Sequence, residues 1–143
     1  MRITYENDKA LTLIYIYIRE FDGNIVSTLS NVRSEMIFDK DDNWIGIEVF
    51  NDTFDNNKIK LPNIKKRYNS IQNEIFEQSE SKLFTLFDKN RSESYRKEFS
   101  CNIDYNSING LQGIELILDC SDIKVDVAQQ FIRKSGLRDL NEL

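Results

Sequence analysis

Glu48 and Glu115 each close a Gly-Ile-Glu step, Gly46-Ile47-Glu48 and Gly113-Ile114-Glu115, so a symmetric fold would place two carboxylates at matched positions. Held close together, two carboxylates divide into a proton donor and a base, or share a metal ion. One reading of the chain is therefore a metal-dependent hydrolase working through Glu48 and Glu115. The competing reading is that each glutamate points away from its isoleucine neighbour, to a local hydrogen bond or to solvent. The rest of the inventory favours the second. The chain has no histidine, which removes the commonest general base, the usual triad partner and the commonest zinc ligand. Its five glycines form no Gly-x-Gly-x-x-Gly, P-loop or Gly-x-Ser-x-Gly. Asp39-Lys-Asp41-Asp-Asn43 opens like a calcium loop, but Trp44 stands where the loop needs its glycine and Phe50 where it needs its bidentate glutamate. The sequence thus assigns no catalytic residue, no metal ligand and no cofactor, and points to a non-enzyme.

The charges suggest recognition instead. Net charge is −5, which opposes general affinity for phosphate backbones, so no nucleic-acid partner is expected. Seven acidic residues fall between Glu35 and Asp55 against one lysine, whereas Lys58 to Arg67 holds five basic residues and no acidic one. The candidate partner surface is the acidic turn and the strand that leaves it: Asp39, Asp41, Asp42, Trp44, Asp52 and Asp55. Trp44 is the sole tryptophan, an interface anchor or a core residue. The longest apolar run, Leu13 to Ile18, is far short of the roughly 20 residues of a spanning helix, and no export signal is recognised, so a cytoplasmic location without membrane contact is expected. Cys101 and Cys120 are too few for a disulfide framework and out of register for a bridge across a 99–105/111–118 hairpin.

These residues must be positioned by elements that repeat. Phe38 to Phe50 aligns without gaps on Tyr105 to Ile117 at an offset of 67, and Ile3 to Tyr15 aligns on Ile75 to Phe87 at an offset of 72. Two copies, about 1–52 and 73–120, follow. Within each, the period is that of strands. Leu11 to Ile18 is apolar on both faces and predicts a central strand, while Phe21-Asp-Gly23-Asn24 and Asp39 to Asn43 are turns. Each copy reads as an antiparallel β-meander. Pro62 followed by Ile64, Tyr68, Ile71 and Ile75 predicts a connecting helix over about 62–74. Asp122 as an N-cap, Ile123, Val127 and Phe131 on one face, and Gly136 as a stop predict a C-terminal helix over about 122–135. The expected fold is α+β: one compact domain over 1–143, its antiparallel sheet built from two meander units and covered by the two helices.

Ile3-Thr-Tyr5, the aliphatic-tyrosine strand, and Asp104-Tyr105 through Gly110-Leu-Gln-Gly113-Ile-Glu115 resemble a family of small bacterial proteins, catalogued as domain of unknown function 2283. Its members are typically one such unit long, so the resemblance implies two diverged tandem copies here. It covers most of copy one and the second half of copy two. Copy one departs from the pattern with Ile37 where copy two has Asp104, and copy two lacks the tyrosine-rich strand. The resemblance implies a fold and carries over no catalytic residue.

Size, acidity and the lack of catalytic groups together lead to a binding protein, specifically an immunity or antitoxin-type inhibitor of a basic toxin such as a nuclease. Besides the hydrolase, the remaining alternative is a structural subunit that forms a homodimer through unpaired sheet edges.

Overall fold

The computed structural model describes residues 2–8, 11–67 and 74–119. Eight strands occupy most of them: β1 Arg2–Asp8, β2 Leu11–Tyr17, β3 Ser27–Phe38, β4 Trp44–Thr53, β5 Ile75–Gln78, β6 Lys82–Leu86, β7 Tyr95–Asn106 and β8 Gly110–Asp119. They form one curled antiparallel sheet in the order β1-β2-β8-β7-β3-β4-β6-β5, half of a barrel. The alternation in β2 is that of a curled sheet, with Ile14, Ile16 and Ile18 buried inside and Leu13, Tyr15 and Tyr17 half-buried outside.

The expectation of an α+β fold is corrected: the described residues are all-β and contain no helix. Over 62–67 the predicted connecting helix is replaced by an extended strap, while 68–73, like the predicted C-terminal helix over 122–135 and Cys120, lies outside the described residues. Tertiary pairing overrides the helical stripe. Ile64 bridges to Gly110, the Leu111 amide donates to the Asn63 carbonyl at 2.9 Å, and the Gln78 side chain holds Pro62 O and Ile64 N at 2.8 and 3.1 Å. These bonds satisfy backbone groups that a helix would have satisfied internally, and they seat Leu61 in the core. Gly110 permits the approach, because its φ of +71° suits glycine and a Cβ there would overlap the Asn63 carbonyl oxygen.

Nor is either copy a meander. The hairpin β1-β2 of copy one pairs with β8 of copy two, and the hairpin β5-β6 of copy two pairs with β4 of copy one. The copies meet along β3 and β7, where Arg33 faces its own repeat mate Ser100. A pseudo-twofold axis therefore passes between these two residues. Register also corrects the upstream alignment. Gly46 faces Leu86, while its mate Gly113 faces Tyr17, so Tyr17 and Leu86 are mates and the offset there is 69 instead of 72. An odd slip turns every side chain to the other face. At 69, buried Leu83 matches buried Ile14; at 72 it would match exposed Leu11.

A bulge between Leu29 and Val32, with Asn31 at φ 58°, bends β3 at the centre of the sheet. The enclosed face holds one cluster that draws on both copies, including Ile3, Ile14, Ile16, Met36, Trp44, Ile47, Leu83, Ile103, Ile114 and Leu116.

Candidate functional site

Antiparallel order gathers the β3–β4 turn and the β6–β7 loop at one end of the sheet. Asp39 organises this end. Its Oδ1 accepts the backbone amides of Asp41 and Asn43, each at 2.9 Å, and its Oδ2 accepts the Asn43 side chain and the Arg91 guanidinium, each at 3.1 Å. Burial alone would raise the Asp39 pKa, but these donors hold it below the usual carboxylate value. Asp42 takes the left-handed conformation that closes the turn, φ 64°, and accepts the Tyr95 hydroxyl at 2.7 Å. Burial and this carboxylate push the Tyr95 hydroxyl up to about 12. Asp41 is exposed, and beside it a cleft of about 490 Å³ is lined by Asp39, Lys40, Asp41, Arg91 and Glu93 among others.

The structure does not assemble all six proposed residues. Asp39, Asp41 and Asp42 share one end, whereas Asp52 and Asp55 lie at the far end of β4. Asp52 pairs with Arg33 at 3.0 Å, and Asp55 accepts from Asn31 at 3.4 Å. Trp44 is fully buried, donating its indole N–H to the Gly46 carbonyl at 2.8 Å and meeting the Phe87 ring edge-on. Glu48 and Glu115 are kept apart, because β3 and β7 stand between β4 and β8 and put them at least about 14 Å from one another. Glu48 is held by Arg96 and Lys82, Glu115 by the Asn102 side chain at 3.1 Å. Among the described residues no group of three or more Cys, Asp or Glu could hold a metal ion. Cys101 is buried and free, and burial pushes its thiol up to about 12, so it is not a ready nucleophile.

Across the pseudo-twofold lies the mate of the acidic end, built from the β7–β8 turn and the β2–β3 loop. Asn106 there stands in the place of Asp39, accepting the amides of Ile108 and Asn109 at 3.1 and 2.7 Å; the first contact matches that of Asp41, while the second is to the mate of Asp42 instead of Asn43. The ion pairs invert. Asp88 and Arg91 approach to 4.0 Å at one end, and their mates Arg19 and Asp22 pair at 2.9 Å at the other. Side-chain bonds from Asn109 and Asn106 and the Asn24 amide hold the Asp22 pKa well below the usual range.

No family model, curated protein or solved structure matches this chain. The reading of the site rests on the residues themselves. No described helix is long and apolar enough to cross a membrane. Sequence reasoning found the acidic turn but missed what faces solvent at the mate end, Phe21, Ile25 and Ile108. The available signal was bulky apolar residues in or beside turns: Phe21 in the 21–24 turn and Ile108 in the loop between 105 and 111, with Ile25 at the start of a segment that reads as a strand from Ile25 to Phe38 but pairs only from Ser27.

Proposed function

We propose that this protein is a non-enzymatic binding protein, an immunity or antitoxin-type inhibitor that recognises a basic protein partner such as a toxin nuclease through the acidic turn. One observation carries the reading. A turn is built at matched positions twice, once on Asp39 and once on Asn106, and in each the Asx oxygen accepts the amide two residues on. An Asx oxygen is needed for that geometry and a negative charge is not. The mates of Asp41 and Asp42 are Ile108 and Asn109, so these charges too are dispensable to the fold. Charge beyond what the fold requires is available for steering a cationic partner, where it raises the association rate and rejects wrong partners.

Burial of Trp44 and the place of Asp52 and Asp55 at the far end of β4 narrow the proposed contact to Asp41, Asp42 and the neighbouring loop residues Asp88 and Glu93, the last of which also pairs with Arg96. The test is the association rate of the chain with the product of the adjacent reading frame, at low and high salt. Asp41→Asn with Asp88→Asn should slow association at low salt and leave the melting temperature unchanged. Equal rates for variant and wild type at both salts, or no complex with that product, would overturn the reading.

A further inference from the structure

The mate end carries chemistry that the acidic end lacks. Three segments meet there: the 18–26 loop, the 107–109 turn and the 54–67 strap. Asn109 and Asn106 donate to Asp22 at 2.6 and 3.3 Å, and Lys65 Nζ donates to the Ser107 carbonyl at 3.0 Å. Ile25, Ile108 and Phe21 stand 94%, 66% and 62% exposed on these loops. The strap presents Lys58, Lys60, Lys65, Lys66 and Arg67, all exposed, the last three at these loops; they outnumber the exposed acids of the same segments, Glu20, Asp22 and Asp55. Lys58, Lys60 and Lys66 have no acidic partner among the described residues. Phe21, Lys66 and Arg67 share the wall of a 420 Å³ cleft. The fold does not ask for Ile108, since its mate Asp41 occupies the matched place in the other turn.

We infer that this end docks on an anionic membrane surface, with Phe21, Ile25 and Ile108 entering the headgroup boundary and the strap lysines meeting anionic headgroups. Apolar tips flanked by a basic strap match an interface that is apolar beneath and negative above. The charge distribution orients the molecule. The acidic turn lies at the other end of the 12-residue β3, at most about 36 Å away, and is repelled from the same surface. Nucleic acid fits less well, because the two most exposed tips, Ile25 and Ile108, offer no ring for base stacking and the chain is acidic overall. Such docking needs no spanning segment, so the lack of one in the sequence does not bear on it, and it is independent of the acidic turn's partner.

The test is co-sedimentation of the full chain with vesicles of phosphatidylcholine, with and without phosphatidylserine, at low and high salt. Binding is expected only with phosphatidylserine and should weaken with salt. Lys60→Gln and Lys66→Gln should each weaken it about fivefold. Ile25→Ser with Ile108→Ser should weaken it at least about tenfold, and Lys89→Gln at the acidic end should leave it unchanged. Ile25→Ser alone, at the most exposed position, serves if the double variant melts early. No binding, equal binding to both vesicles, wild-type binding by the Ile25 and lysine variants, or capture by polyglutamate or RNA but not by vesicles would each overturn the inference.

Discussion

Glu48 and Glu115 sit at matched positions, yet only Glu48 is closed off from water and held by two cations. Directly across the strands it faces Glu35, which faces Glu98 in turn, a row of three carboxylates that would repel without a counter-charge. Arg96 supplies it, reaching both Glu48 and Glu35. Burial tends to raise the Glu48 pKa, but Arg96 and Lys82 outweigh it and bring the value below the ordinary 4.5. A depressed carboxylate contributes stability above its unfolded pKa and loses it as pH falls through the folded one. Arg96→Ala should therefore destabilise the protein by about 1–3 kcal/mol at neutral pH, with the difference from wild type shrinking as urea melts are moved below pH about 4. A constant difference across that range would show that Arg96 acts through packing. The residue types made Glu48 conspicuous in the sequence; its arginine lies 48 residues away on β7, and nothing local in either segment announces the pair.

At the scale of elements, the recurrence of Gly-Ile-Glu has a steric cause. A Cβ at Gly46 would overlap the Thr85 carbonyl oxygen, and one at Gly113 would approach the Ile16 carbonyl oxygen to 2.7 Å and overlap the Tyr15 ring. Thr85 and Ile16 are mates at the offset of 69, so both glycines admit the same close pass of an exchanged strand. Gly46→Ala and Gly113→Ala should each cost about 1–3 kcal/mol in chemical denaturation, as overpacking does, although neither glycine is in a turn. Unchanged midpoints would mean that the strands pass farther apart. This is also where sequence reading succeeded and then stopped. Alternation in Leu11 to Ile18, the turn at Asp39 to Asn43 and the downstream 67-residue offset were legible because each is local or repeats itself. The helix over 62–74 was not borne out across 62–67, because Gly110, Leu111 and Gln78 capture that backbone from distant parts of the chain. The meanders were misread for the same reason: strand periodicity shows that a segment is a strand and leaves its neighbour unnamed.

For the whole molecule, exchange of hairpins about the Arg33–Ser100 axis makes the two ends of the sheet geometrically alike while leaving them free to diverge chemically. One end became acidic at Asp41 and Asp42, the other apolar and basic at Ile108 and the 58–67 strap. The net charge of −5 averages over this division and hides it. Both proposed surfaces depend on the interlocked strand order, because only that order collects the β3–β4 turn with the β6–β7 loop, and the β7–β8 turn with the β2–β3 loop. The most direct test is a nuclear Overhauser map of the isotope-labelled protein. The account predicts cross-strand contacts for Arg33 with Ser100, Tyr15 with Glu115 and Glu48 with Phe84. Contacts joining β2 to β3 and β6 to β7 in place of these would restore two separate meanders and contradict it.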